Sequence, residues 1–149
     1  RFNVPYYGRI STYTTRRFGQ LGSKLYNAKK SVVTSSGLSA ITITFLALLK
    51  KDDEILISEN CYEPVYNFAI CDLKKFGIKS HFFSNNRKNI DKIINNKTKI
   101  LYIESPGSLN YEVSDIKEIV KLCKKKKNYF CYGQYMVYIF RMQPIRIWS

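Results

Sequence analysis

KDDEILISENCYEP, Lys51–Pro64, holds a complete passage from strand to helix. Lys51-Asp52-Asp53 reads as a turn. Glu54–Ser58 reads as a short strand buried on both faces, because Ile55, Leu56 and Ile57 follow one another without a polar interruption. Pro64 stands near the first turn of the next helix, where a missing N–H leaves no bond unmade. That helix is predicted over Glu63–Phe76, and Gly77 is a typical stop.

The same alternation extends both ways. Upstream, Ser35-Ser36-Gly37 opens a helical stretch to about Lys50, with Leu38, Ile41, Phe45 and Leu48–Leu49 on one side. Downstream, Ile78–Phe83 reads as a strand, Asn89–Asn95 as a short helix and Lys99–Ile103 as an apolar strand. Val113–Lys127 is a third long helix with Ile116, Ile119, Val120 and Leu122 as its stripe, and a strand begins over Asn128–Cys131. Strand and helix alternating through short loops predict an α/β fold: a mostly parallel sheet with helices on its faces. Residues 1–34 read as an extended arm with room for one short helix. The stretch after Cys131 carries neither helix starts nor a strand period.

Composition narrows the classes. The 149 residues are 45% hydrophobic and 24% charged, enough for about one domain with a core. No apolar run approaches the ~20 residues of a membrane span. The first apolar stretch, Ile41–Leu49, is internal, so no signal peptide is expected and a cytoplasmic location is. Arg1 is read as lying downstream of the natural start. Cys61, Cys71, Cys123 and Cys131 form no C-x-x-C pair, and His81 is the sole histidine; neither a zinc site nor a disulfide framework is expected. The net charge is +14, but Lys outnumbers Arg 18 to 7 and Asn, Ile, Tyr and Phe are abundant. An A/T-rich coding bias accounts for that pattern without a nucleic-acid partner. Lys124–Lys127, at the end of a predicted helix, reads as a solvated face suited to the helix dipole.

Sites in parallel α/β sheets lie at strand carboxyl ends and helix amino ends. There Gly37 and Leu38 open a helix whose unpaired N–H groups suit a phosphate, while Ser35 or Ser36 equally serves as an ordinary N-cap. Tyr62, just after the first strand, offers a flat ring for stacking on a heterocycle or for packing. Tyr7 and Arg9, two apart on an extended arm, point the same way, and Arg9 can clamp a phosphate; a surface Arg beside a packing Tyr is the plainer reading. Glu104-Ser105-Pro106-Gly107-Ser108 is a fixed turn at the same edge. His81 reads as structural or exposed.

In order along the chain, Y-G-R-x-x-T-x-T at Tyr7–Thr14, S-S-G-L-S-A-I at Ser35–Ile41, K-K-D-D-E-I-L at Lys50–Leu56 and Y-E-P at Tyr62–Pro64 are family-like strings. T-K-I-L-Y-I-E-S-P-G-S at Thr98–Ser108 and E-V-S-D-I at Glu112–Ile116 complete the set. Together they resemble the Cys/Met-metabolism family of pyridoxal-phosphate (PLP) enzymes, and the E-S-P-G-S form is similar to its cystathionine β-lyase branch. The resemblance implies the N-terminal part of the large domain of a PLP fold-type I (aspartate aminotransferase-like) enzyme, with residues 35–131 as partial PLP-binding domain. It implies pyridoxal 5'-phosphate as cofactor, with Gly37 and Leu38 on the phosphate and Tyr62 on the pyridine ring. It places Tyr7 and Arg9 at the active site of a neighbouring subunit, hence a homo-oligomer, and gives Tyr7 and Tyr62 catalytic roles. The implied reaction is β-elimination of a cystathionine-like substrate to homocysteine, pyruvate and ammonia. Cystathionine γ-synthase or γ-lyase chemistry is the alternative within the family, and a non-enzymatic phosphate-binding remnant the alternative outside it. One departure is L-Y-N-A-K-K at Leu25–Lys30, where the family usually has L-E-G-G.

The family also carries an Asp in D-N-T, on the strand beginning near residue 129, and a later Schiff-base Lys. Neither occurs in these 149 residues. Cys131–Tyr138 can be written TGT TAT GGA CAA TAC ATG GTC TAC, and one base further on this reads V-M-D-N-T-W-S. Residues 132–149 are therefore read as an out-of-frame tail, and the chain as inactive alone.

Overall fold

The computed structural model describes residues 7–84, 90–126 and 129–133. The tail read as out of frame lies, beyond Gly133, outside the described residues.

The order of elements is α1 (Tyr13–Leu25), α2 (Gly37–Leu48), β1 (Glu54–Ser58), α3 (Glu63–Asn67), β2 (Lys79–Phe83), α4 (Ile90–Ile93), β3 (Thr98–Glu104), α5 (Ile116–Lys126) and β4 (Tyr129–Gly133). The four strands form one sheet in the order β2-β1-β3-β4, and every pairing is parallel. β1 lies in the middle with Ile55 opposite Ser80 of β2 and Ile100 of β3.

Side chains alternate across the sheet with period two. Ile55, Ile57, Ile100 and Tyr102 enter one core layer, closed by Phe45 and Leu49 at α2 and by Val65, Ala69 and Leu73 of the helix after β1. Leu56, Leu101 and Ile103 enter the opposite layer, with Ile90 of α4 and Ile119 and Cys123 of α5. Covering both faces is what makes the strands read as unbroken apolar runs. The ring of Phe45 meets Tyr102 edge-on at 5.2 Å between centroids.

Several predicted bounds shift for local reasons. The helix predicted over Glu63–Phe76 is α-helical only to Asn67, and Phe68–Leu73 winds as a π-helix. Gly77 does close it, at φ +73°, where a Cβ would stand 2.9 Å from Lys51 Cγ. The helix predicted from Val113 starts at Ile116, because Asp115 Oδ1 accepts the Glu118 N–H at 3.0 Å and so caps it there. Within the arm, Tyr13–Leu25 is a full helix. Thr12 caps it: its hydroxyl accepts the Thr15 N–H at 3.1 Å, and its own N–H donates to Thr15 Oγ1 at 2.9 Å. It buries none of its residues, and Gly19 and Gly22 interrupt its pattern. That explains its weak periodicity in the sequence. Lys124, Lys125 and Lys126 end α5 as an exposed basic turn.

Candidate active site

The turn over residues 49–53 reverses the chain between α2 and β1, so α2 starts level with the carboxyl ends of the strands. Its first turn is built by serines. Ser36 has extended backbone, and its Oγ accepts the Ser39 N–H at 3.0 Å. Thr34 Oγ1 donates to the Ser36 carbonyl at 2.8 Å. The ladder proper begins with the Ala40 N–H on the Ser36 carbonyl at 3.1 Å. Gly37 and Leu38, the first two helical residues, have N–H groups for which the helix supplies no acceptor. Ser36 is thus an ordinary N-cap, and the helix leaves the Gly37 and Leu38 N–H groups beside it without an acceptor of its own. No acidic residue stands in this first turn. A phosphate dianion suits that arrangement through both hydrogen bonding and the helix dipole.

Tyr62 follows β1 and opens α3. It supplies no side-chain cap of its own, and Pro64 sits in the first turn. The residue is 39% exposed, at the carboxyl end of β1. The Tyr62 N–H donates to Glu104 Oε2 at 2.9 Å. Glu104, the last residue of β3, is buried, and its Oε1 accepts the Tyr102 hydroxyl at 2.7 Å. Its N–H donates to Ser58 Oγ at 3.3 Å, joining the ends of β1 and β3. Burial pushes the Glu104 carboxyl above the ordinary carboxylate range, while the bonds from Tyr102 and Tyr62 pull the other way.

The turn after β3 closes against this edge. The Ser108 N–H donates to the Asn60 carbonyl at 2.9 Å, and the Ser114 N–H to Ser105 Oγ at 3.0 Å. Gly107 lies so close to the Asn60 amide that a Cβ there would collide with it. Cys61 is buried, which pushes its thiol up to about 12. Among the described residues no cluster of His, Cys, Asp and Glu could hold a metal. No helix among them is long and apolar enough to cross a membrane.

Tyr62 thus stands just past the carboxyl end of β1, and Leu38 of α2 packs on the core layer that holds Ile57, Cys61 and Val65. Tyr7 and Arg9 differ from expectation. They lie in a turn rather than an extended arm, because the Ile10 and Ser11 N–H groups both donate to the Tyr7 carbonyl, at 2.9 and 3.1 Å. Arg9 folds back over the Tyr7 ring, 5.1 Å from its centroid. His81 is half exposed, its Nε2 3.2 Å from Glu54 Oε2 on the neighbouring strand. Sequence reasoning missed Glu104. Its signal was a carboxylate ending an apolar strand with no turn residue between, which is unusual in a buried position.

The chain is similar to known proteins in both sequence and fold. The cystathionine beta-lyase of Escherichia coli (strain K12) is 32% identical over 116 residues, which are 77% of this chain and 29% of that protein. The L-alanine/L-glutamate racemase of Wolbachia pipientis wMel is 30% identical over 121 residues, 81% of this chain and 30% of that one. A Campylobacter jejuni protein solved with N'-pyridoxyl-lysine-5'-monophosphate superposes with a TM-score of 0.86 at 24% identity, covering 93% of this chain and 34% of that chain. The chain spans about a third of the length of these proteins. The fold is therefore that of PLP fold-type I enzymes. The model of the Cys/Met metabolism PLP-dependent enzymes matches residues 3–145, and the chain belongs to that family.

Proposed function

We propose that these residues form the cofactor-binding edge of a PLP-dependent carbon–sulfur lyase acting on a cystathionine-like amino acid. The observation that supports this reading is a helix start at Gly37 and Leu38 with N–H donors the helix does not use, in a parallel sheet whose first strand runs into Tyr62. In it, Gly37 and Leu38 hold the phosphate of pyridoxal 5'-phosphate, and Tyr62 lies against its pyridine ring. Tyr7 and Arg9 reach the site of a second copy in a homo-oligomer. When bound, the cofactor supplies an electron sink for the pair left as the substrate's α-proton departs. In this reading the Tyr62 hydroxyl would hold a proton near that carbon.

The shifted reading of the tail supports the same proposal. It puts the Asp of D-N-T at position 133, the end of β4 and the register partner of Glu104. In the frame as written, that position is a glycine, and a Cβ on it would stand 2.5 Å from the Tyr102 hydroxyl, so an Asp there requires the Tyr102 ring to shift. With neither this Asp nor a later Lys in the sequence, the chain as written is proposed to be inactive.

The experiment is to restore the shifted frame, express the repaired protein and assay cystathionine. Pyruvate release supports β-elimination; 2-oxobutyrate indicates γ-cleavage. The racemase relative favours a second reading, α-proton removal and return without C–S cleavage. Interconversion of alanine enantiomers with no pyruvate would select it. Phosphate-ester binding by the unrepaired chain, with no activity after repair, would select the non-enzymatic phosphate-binding module.

A further inference from the structure

We infer that Glu104 is a positioning residue for Tyr62: from the end of β3 its buried carboxyl caps the start of α3 and fixes where the Tyr62 ring stands. The inference rests on the reading of Tyr62 as the ring that faces the cofactor. Helix starts are normally capped by a Ser, Thr, Asp or Asn at the first position. α3 has Tyr62 there, and no side-chain cap from that residue. The capping acceptor comes instead from 42 residues away, Glu104 Oε2 at 2.9 Å from the Tyr62 nitrogen. The other carboxyl oxygen is held by the Tyr102 hydroxyl at 2.7 Å, and the Glu104 N–H is held by Ser58. The carboxyl is thereby held to β3, and the Glu104 backbone to β1, before the carboxyl reaches Tyr62.

The cost of this arrangement argues that it is specific. Glu104 is 1% exposed. Among the described residues, the ion pairs are Lys75–Asp72 and His81–Glu54, and neither includes Glu104. A buried carboxylate without a cation is expensive, and Glu104 accepts the Tyr62 N–H itself, a donor that no side chain at position 62 could satisfy. The bond ties the Tyr62 backbone to the sheet.

The test uses the full chain and two readouts. The first is the backbone amide of Tyr62 by 1H–15N NMR. Its shift should titrate with pH at a midpoint above the ordinary carboxylate range, and Glu104→Gln should abolish that titration while keeping the amide protected from exchange. Glu104→Ala should raise Tyr62 amide exchange at least tenfold while the amides of Leu56 and Ile57 stay protected. A merely structural role would loosen those strand amides equally. If Glu104→Ala does not fold, the wild-type titration and its loss in Glu104→Gln decide. A Tyr62 amide that ignores pH, or that stays protected in a folded Glu104→Ala chain, overturns the inference.

The second readout is the induced circular dichroism of pyridoxamine 5'-phosphate, which needs no lysine to bind. Glu104→Ala and Tyr62→Ala should lower it alike, and the double variant no further; a Glu104→Ala signal equal to wild type overturns the inference. Absence of any signal with wild type overturns the cofactor reading of Tyr62, while the amide measurement still decides the hold of Glu104.

Discussion

At the residue scale, the Tyr62 ring and the Ser36 hydroxyl have separable jobs. Aromatic stacking contributes about 0.5–1.5 kcal/mol beyond buried area. Tyr62→Ala should therefore weaken pyridoxamine 5'-phosphate binding about three- to tenfold, and Tyr62→Phe should leave it near wild type, as read by fluorescence titration. Ser36→Ala removes the acceptor of the Ser39 N–H. It should cost about 1 kcal/mol in urea unfolding. Thiols give a third check. Cys71 is exposed, whereas burial raises the Cys61 and Cys123 thiols to about 12 and about 11. A mapped alkylation at neutral pH should label Cys71 in the native chain, and Cys61 and Cys123 only after unfolding. The residues legible in the sequence were those whose local context announces them: Gly37 after two serines, Tyr62 before Glu-Pro. Glu104 was not legible, because its partner is 42 positions away and no local pattern encodes that bond.

At the element scale, the carboxyl and amino ends of the sheet should respond to pH with opposite signs. Glu54 begins β1, and the Asn95 amide donates to its Oε2 at 2.7 Å. That bond is the main cause holding its carboxyl below the ordinary range, with His81 and Lys79 adding to it against the cost of burial. A depressed carboxyl contributes stability above its unfolded pKa that is lost as the pH falls through the folded one. Asn95→Ala should therefore melt earlier than wild type above about pH 4.5, and the difference should shrink as the pH falls below that value. Glu104 behaves inversely: its raised folded pKa favours folding at low pH and withdraws that support as the pH climbs through it. Thermal melts of Glu104→Gln across pH 4–8 should be flatter than those of wild type. The sheet was legible because β1 and β3 are continuous apolar runs between turns, and β1 fell on Glu54–Ser58 as expected. The π-wound stretch was not, since Phe68–Leu73 has the same apolar spacing a straight helix would show.

At the scale of the molecule, two core layers meet on one sheet, and its centre holds most of the buried volume. Ile57→Ala should cost about 2–5 kcal/mol, since Ile57 is fully buried between the layers and its neighbours cannot collapse around a gap. A chemical denaturation series beside Val32→Ala, at an 84% exposed position that should shift by less than about 0.5 kcal/mol, would show the contrast. α1 carries Tyr13, Phe18, Leu21 and Leu25 on its surface, each more than half exposed. That apolar face is the feature most exposed to self-association at high concentration.

The strand order has a consequence for biosynthesis. β1 leaves the ribosome before β2 and β3, yet it pairs with both. Each pairing spans a crossover: Glu54 meets Lys79 on one side and Thr98 on the other. Among the described residues no hairpin seeds the sheet locally, and loop closure must come before any reward. The nascent chain therefore holds its most apolar strand open until β3 has been made. During that interval Ile55, Leu56 and Ile57 are the segment a holding chaperone would grip.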